Sequence, residues 1–507
     1  MQKKRIFLTG ATGSMGFMGM QALLKDSEKQ DLIILARPSE KNKVMLTPFT
    51  NVQGLKIEWG DLNNYEDVFR CVEQSDIILH VGALVSPEAD YYPEQTMKVN
   101  YGSTMNIISA IKEQNRENEV RLVYIGTVAQ TGDRMPPIHW GRVGDPLKPS
   151  VFDYYAVSKI ASERAVIESG LKYWVSLRQT GILSSKMSRT EDAIMFHNCL
   201  DNVLEYVSDR DSAVLLRNIC KELPDDFWQH VYNIGGGENC RVSGFDMYEQ
   251  LFKRIGIKKM SHIFDSKWFA IRNFHGQYYL DSDKLENYLH FRSGGMEYFY
   301  ELYLKQIGLQ ASLSRIICKL PGGSKMVGSV VKKRFLKLAR AEHGPLRFIE
   351  ENIEEKISAY FISREEWEKI PDIDEMQHFS DWDSVTMIKH GYDETLPENC
   401  LSLCDVNEAA VFRGGKCLSP KMKTGDWQTK LMFACAFGHE FEISPRAALH
   451  AGHWCPVCER ESWNFHETAK VNPYFAQVWY PLHDENETVH TYPKAVSELD
   501  VTYGRQC

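Results

Sequence analysis

Short apolar runs alternate with amphipathic stretches over the first third of the chain. Arg5 to Thr9, Leu32 to Ala36, Leu55 to Trp59, Ile77 to Val81 and Leu122 to Ile125 read as strands, nearly continuous in apolar residues. Between them, Ser14 to Lys25, Asn63 to Val72 and Gln95 to Lys112 repeat apolar residues at helical spacing. Strands apolar on both faces and separated by helices predict a doubly wound α/β domain with a parallel sheet. From about Ser184 to Leu304 the pattern turns irregular and aromatic-rich, which predicts a smaller substrate-binding portion. Lys305 to Arg340 is basic and helix-prone, with a break at Pro321-Gly322-Gly323. Glu350 to Lys369 reads as an acidic helix, and Pro371 to Glu375 as a linker. The expected organisation is an α/β domain over 1–304, a helical connector over 305–376, and a Cys/His/Trp-rich module over 377–507. No repeat of fixed long period is visible.

A chain of 507 residues exceeds what one core holds. Its net charge of −9 excludes a generic polyanion binder. No apolar run is long enough to span a bilayer or to form a signal-peptide core, so a soluble, cytoplasmic protein is expected. Five cysteines (Cys71, Cys199, Cys220, Cys240, Cys318) are scattered and read as small buried hydrophobes. Six others fall between Cys400 and Cys458, and in a reducing compartment such clustering points to metal.

The first strand runs into Thr9-Gly10-Ala11-Thr12-Gly13-Ser14-Met15-Gly16, which opens the first helix. Glycines at 10, 13 and 16 permit a tight turn, close approach of backbone to a pyrophosphate, and close helix–strand packing. The helix start then offers its free N–H groups to phosphate. This is a Rossmann-type dinucleotide loop, with Gly10, Thr12, Gly13, Ser14, Met15 and Gly16 as its contacts. Where an acidic residue at the end of the second strand would hold a ribose 2′-hydroxyl, this chain has Ala36-Arg37, with Lys41 and Lys43 behind. A guanidinium suits a 2′-phosphate, so NADP(H) is favoured over NAD(H), against the reading of Arg37 as a solvated loop cation.

Tyr155 and Lys159 stand four residues apart at the start of a helix-like stretch reaching Ile167, and so share one face. A phenol titrates near ~10, and a neighbouring ammonium is expected to lower it toward the working range for proton transfer.

These landmarks come in a fixed order: the glycine loop, Gly60-Asp61-Leu62, His80-Val81-Gly82-Ala83, Val99-Asn100, Tyr124-Ile125-Gly126-Thr127, Tyr155/Lys159, and Leu177-Arg178-Gln179-Thr180-Gly181. In that order they resemble an extended short-chain dehydrogenase/reductase of the NAD-dependent epimerase/dehydratase and hydroxysteroid dehydrogenase type. The resemblance implies that Thr127 hydrogen-bonds the substrate oxygen and that Tyr155 exchanges a proton with it. Lys159 would bind the nicotinamide ribose. Asp61 and Leu62 would contact adenine, Gly82 and Ala83 would line the cofactor, and Asn100 would brace the structure. Ser103 stands where the family carries glycine, and Gly82 where alanine is usual. After Thr127 the residues are Val128-Ala129, not the Asp-Glu pair typical of sugar-nucleotide 4,6-dehydratases, so water elimination is disfavoured.

Leu84 to Ser86, Tyr91-Tyr92 and Lys186 to Asn202 are the expected substrate contacts. Met195, Phe196, Phe227 and Trp228 suit either a lipid-like carbonyl or a packed core. Ser208-Asp209-Arg210-Asp211 and Tyr232-Asn233-Ile234-Gly235-Gly236 recur in the family and carry no assigned chemistry.

In the tail, Cys435-Ala436-Phe437-Gly438-His439 and Cys455-Pro456-Val457-Cys458 offer two ligand pairs on tight turns. The stretch resembles a zinc ribbon or treble clef. Cys435, His439, Cys455 and Cys458 are the expected ligands of one structural zinc, with four protein ligands leaving no open position. His453 is an alternative to His439. Cys400, Cys404 and Cys417 lack a fourth partner for a second site. Trp427, Trp454, Trp463 and Trp479 would pack the module or face a protein partner, and the nearby acids Glu459, Glu461 and Asp484 argue against nucleic acid. Lys332-Lys333-Arg334, Lys337 and Arg340 alternate with apolar residues, so weak contact of 325–340 with a membrane surface is weighed against a solvated, packed helix. The leading function is an NADP(H)-dependent carbonyl reductase or alcohol dehydrogenase acting on a small molecule. The alternatives are a nucleotide-sugar epimerase, and a non-catalytic dinucleotide sensor with a partner-binding zinc tail.

Overall fold

A computed structural model describes residues 3–184, 192–460, 463, 465–487 and 490–492. Seven parallel strands form the central sheet: β1 (Lys4–Thr9), β2 (Gln30–Ala36), β3 (Leu55–Trp59), β4 (Ile77–His80), β5 (Arg121–Thr127), β6 (Tyr173–Gln179) and β7 (His230–Ile234). Their spatial order is β7-β6-β5-β4-β1-β2-β3. This is the Rossmann-type doubly wound arrangement expected from the apolar runs. The order reverses between β1 and β4, and in such sheets ligands bind at the carboxyl ends of the strands beside that reversal.

Five of the strands lie within two residues of their expected ends. The other two, β6 and β7, were not legible as strands, because buried Ser176, Arg178, Gln179 and Asn233 interrupt their apolar pattern. Four helices frame the site: α1 (Ser14–Leu23), α2 (Tyr65–Glu73), α3 (Ser103–Glu113) and α4 (Tyr154–Ile167). The helix expected over 95–112 is instead split by a π-helical turn at Lys98–Gly102 that carries Asn100. A fifth helix, α5 (Asp209–Asn218), packs so closely on α1 that a methyl on Gly19 would meet Leu216 Cδ1 at 2.4 Å.

The connector is helical: α6 (Met296–Ile307), α7 (Leu309–Cys318), α8 (Gly323–Ala339), α9 (Pro345–Glu350), α10 (Glu354–Phe361) and α11 (Arg364–Glu368). The single acidic helix expected over 350–369 is broken, since Asn352 and Ile362 take positive φ of 58° and 69°. The scattered cysteines Cys71, Cys199, Cys220, Cys240 and Cys318 are all buried. Phe227 and Trp228 lie in the core beside β7, which settles them as packing residues. Among the described residues no helix is long and apolar enough to cross a membrane.

The carboxy-terminal segment holds α12 (Leu403–Phe412), the antiparallel strands β8 (Lys416–Cys417), β9 (Leu431–Ala434) and β10 (Glu440–Ile443), and the helices α13 (Phe465–Val471) and α14 (Pro473–Trp479). It does not stand apart from the α/β domain. Leu401, Val406, Leu431, Phe433, Ala447 and Cys455 belong to the same apolar core as Ile107, Val166 and Trp174.

Candidate active site and metal centre

The glycine turn is built by contacts that exclude larger residues. Gly10 has φ +71°, and a Cβ there would lie 2.6 Å from Gly82 Cα. On Gly16 it would lie 2.2 Å from the Gly10 carbonyl oxygen. Gly13 differs: a Cβ would meet only that same oxygen, at 3.2 Å, and otherwise open space. Gly13 is also the N-cap of α1 and provides no side-chain cap, so side chains leave the first N–H groups of the helix, those of Ser14, Met15 and Gly16, uncapped. An uncapped, glycine-cleared helix start at the strand reversal fits a pyrophosphate.

Gly82 is fixed from behind. Its N–H donates to Thr9 Oγ1 at 2.8 Å, Thr9 Oγ1 lies 3.0 Å from His80 Nδ1, and His80 Nε2 lies 3.0 Å from Thr104 Oγ1. Burial, with Lys159 nearby, drives His80 down to about 3, so it is a neutral link between hydroxyls. Ser103, which replaces the family's glycine, is buried near His80 Nε2. Leu62 packs on Gly82, and Asp61 accepts the N–H of Asn63. Arg37 is exposed just beyond β2, its backbone carbonyl accepting from Asn42 Nδ2. Ala83 is half-buried at the same edge.

Thr127 ends β5, and Tyr155 sits in the first turn of α4. Burial raises the Tyr155 phenol above its ordinary value, and a hydrogen bond with the Thr127 side chain works the other way. Lys159 is buried with Nζ 4.3 Å from the centroid of the Tyr124 ring. Burial lowers it to about 7, against the pull of Glu163. The expected lowering of Tyr155 by Lys159 is therefore not realised in this structure. Desolvation dominates both groups, and the ammonium faces an aromatic ring.

Asn100 joins the loop after β4 to α4. Its side chain accepts from Leu84 N at 2.7 Å and donates to Leu84 O and Ser158 Oγ, each at 2.9 Å, a bracing arrangement.

Several residues here escaped the sequence reading. Asp90 Oδ1 accepts the Tyr155 backbone N–H at 3.2 Å, and burial with Asp153 nearby raises its carboxyl to about 7. Connector residues meet the segment after β4 and the one just before α4. The His343 ring stacks on Tyr91 at 3.7 Å, and Lys356 Nζ stands 3.2 Å from the Phe152 ring centroid. No local pattern announces these partners. Tyr92 is exposed, Met195 and Phe196 join an apolar cluster with α8, and residues 186–191 of the expected substrate stretch lie outside the described residues.

One turn beyond Lys159, Glu163 forms a fully buried pair with Arg178 at 2.6 Å. Its other contacts are Ser176 Oγ at 2.7 Å and His453 Nε2 at 3.1 Å. Burial opposes ionisation of Glu163, yet Arg178 and His453 hold its carboxyl well below the usual range. Arg178 also donates to the Ala451 carbonyl, and Arg164 to Glu459 and to the Trp454 carbonyl. The carboxy-terminal segment thus grips the helix that carries Tyr155 and Lys159. Glu163→Gln is expected to destabilise the protein by about 3 kcal/mol, because the buried Arg178 charge loses its counter-ion. Denaturant unfolding would read this, and an unchanged midpoint would refute it.

Cys435, His439, Cys455 and Cys458 converge, their donor atoms all within 4.8 Å of one another. The Cys435 and Cys458 sulfurs are 3.9 Å apart, and His439 Nδ1 lies 3.4, 3.6 and 3.3 Å from the sulfurs of Cys435, Cys455 and Cys458. The edges of a zinc tetrahedron are about 3.8 Å between sulfurs and about 3.6 Å from sulfur to nitrogen, so the donor set fits. The turn is made by Gly438 at φ +81°, with Cys435 N–H donating to the His439 carbonyl. His453, engaged with Glu163, is not part of the cluster. Cys400 and Cys404 are exposed and Cys417 is partly so, and none of them joins a metal-sized group among the described residues. Trp454 packs on Phe433 and Phe441, and Trp463 is buried.

Residues 6–206 match the profile of the NAD dependent epimerase/dehydratase family. The amino-terminal domain is similar to that family over those residues. Among curated relatives of this domain, the inverting UDP-N-acetylglucosamine 4,6-dehydratase of Campylobacter jejuni is 30% identical over 112 residues, 22% of this chain and 33% of that protein. The 3 beta-hydroxysteroid dehydrogenase/Delta 5-->4-isomerase of vaccinia virus is 25% identical over 244 residues, 43% and 64% of the two chains. The chain therefore spans only about a third of the first of these and under two thirds of the second. The dTDP-glucose 4,6-dehydratase DesIV of Streptomyces venezuelae, solved with NAD and TYD bound, aligns with a TM-score of 0.48 at 19% identity, covering 60% of this chain and 98% of that one.

Proposed function

We propose that this protein is a nicotinamide-dinucleotide oxidoreductase that interconverts a carbonyl and a secondary alcohol on a small molecule. The placement of Tyr155, in the first turn of α4, beside Thr127 at the carboxyl end of β5 and one strand from the reversal carries the reading. Gly10 to Gly16, Asp61, Leu62, Gly82 and Ala83 would hold the dinucleotide, which supplies or accepts the hydride. Thr127 orients the substrate oxygen and Tyr155 gives or takes its proton. Lys159, close to 7 in the free protein, has a charge that contact with ribose hydroxyls would stabilise. Val128 and Ala129, both buried and apolar, supply no acid–base pair for dehydration.

NADP(H) is the preferred cofactor, on the grounds that Arg37 is exposed at the end of β2 where a 2′-phosphate would lie. Wild type is expected to bind NADPH at least tenfold tighter than NADH, and Arg37→Glu to reverse that order through charge repulsion at the 2′-phosphate. Tighter NADH binding by wild type would remove this preference. One structural zinc at Cys435, His439, Cys455 and Cys458 completes the proposal. The similarity to a UDP-glucose 4-epimerase of Rickettsia rickettsii, 28% identical over 111 residues, keeps epimerisation as the second reading. Net oxidation of reduced cofactor over a carbonyl panel separates the two: a reductase consumes it stoichiometrically and an epimerase does not.

A further inference from the structure

The helical hairpin of α7 and α8 presents two faces of opposite character. Its inner face holds Ala311 and Cys318 buried, with Val331 and Phe335 against Phe252 and Phe264. Gly328 is pressed to the His262 backbone, where a methyl would come within 2.7 Å. The outer face is apolar and bare. Leu309, Leu313, Ile316 and Leu320 recur at helical spacing along α7 and just beyond its end, and Met326 and Val330 along α8; all six are 57–83% exposed. A stripe this large is uncommon on the free surface of a soluble protein and calls for a covering partner.

Charge indicates which partner. Residues 302–341 contain nine lysines and arginines and no aspartate or glutamate, in a chain of net charge −9. Lys305, Arg315, Lys319, Lys325, Lys333 and Lys337 are exposed around the stripe. Two copies meeting on this face would oppose like charges with no acid to offset them. An anionic bilayer offers hydrocarbon to the stripe and phosphate to its rim.

We propose that the α7–α8 hairpin docks the protein on an anionic lipid surface, lying in the plane of the interface with its leucine stripe among the acyl chains. The device connects to the candidate active site. Just past α8, His343 stacks on Tyr91 and its carbonyl lies 2.8 Å from His197 Nε2, while the neighbouring Asp90 takes the Tyr155 N–H. These contacts tie the chain just past the docked hairpin to the segment that holds the Tyr155 backbone, next to which an apolar carbonyl substrate drawn from the bilayer would be delivered; that clause rests on the oxidoreductase reading, and the docking itself does not.

The test is flotation of the full chain with phosphatidylcholine vesicles, with and without phosphatidylglycerol, at low and high salt. Binding is expected only to vesicles containing phosphatidylglycerol, weakening as salt rises. Leu313→Glu/Ile316→Glu and, separately, Lys319→Glu/Lys325→Glu should each lower the bound fraction roughly tenfold. Melting temperature and dinucleotide affinity should stay unchanged in both variants. Absence of flotation with anionic vesicles, or equal flotation of the variants, overturns the proposal. So does a sedimentation-defined dimer that Leu313→Glu/Ile316→Glu dissociates, since a second copy would then cover the face. Wild-type protein that does not float yet shows dinucleotide-dependent turnover would count against the hairpin alone and leave the oxidoreductase reading standing.

Discussion

Tyr155→Phe is expected to lower turnover about a thousandfold while leaving dinucleotide affinity and melting temperature nearly unchanged. The substitution removes one oxygen from a half-buried ring whose backbone N–H is tied to Asp90 and whose helix is capped by Asp153, which accepts the Ala156 N–H at 2.8 Å. Nothing that shapes the glycine turn is touched. In the free protein burial holds the phenol protonated, which readies it to donate to a carbonyl oxygen. In the reverse direction it must lose that proton, and the cost of a buried phenolate must be met once cofactor and substrate are in place. Single-turnover kinetics on the substrate identified by the carbonyl panel measures this. Retention of more than about a tenth of wild-type turnover would assign the proton to another group, with Asp90, near 7, the first to examine.

Removal of the metal is expected to unfold the carboxy-terminal segment and to lower the stability of the whole chain. Structural zinc contributes on the order of 10 kcal/mol, comparable to the full stability of a typical domain. The effect should reach the α/β domain because the ligands adjoin its anchors. Cys455 follows His453 and Trp454, which contact Glu163 and Arg164 of α4. Hydrogen exchange with and without chelator should show protection falling over 431–460 and over α4 together, and Cys455→Ser should reproduce the loss. Elemental analysis is expected to find one zinc per chain. A metal-free preparation with full protection would dismiss the metal centre.

What could be read from the chain divides along a physical line. The strands from β1 to β5 are apolar runs, the glycine turn is a spacing, and the cysteine knuckles are spacings, all of them local signals. The grip on α4 is not local. Ser176 and Arg178 look like interruptions of a strand because the carboxylate that satisfies them, Glu163, lies a helix away. His453, read as a spare zinc ligand, is bound to that same carboxylate, and only the tertiary structure brings them together. Asn100 sits in a π-helical turn that helical periodicity alone does not register. The α7 stripe repeats at helical spacing, yet periodicity does not say which face meets the core. The Tyr155–Lys159 pair was legible as a pair, whereas its electrostatics depended on burial.

Every role assigned to the α/β domain requires that the helix start at Gly13 receive a dinucleotide. Calorimetric titration of NADPH and NADH into wild type and Gly13→Ala tests it without knowledge of the substrate. The alanine methyl would meet only the Gly10 carbonyl, so the variant should fold, while that methyl occupies the clearing expected to admit pyrophosphate. Saturable one-site binding by wild type, weakened at least tenfold in Gly13→Ala at an unchanged melting temperature, is the predicted result. Folded wild-type protein that binds neither dinucleotide, or a variant that binds as well as wild type, would contradict it.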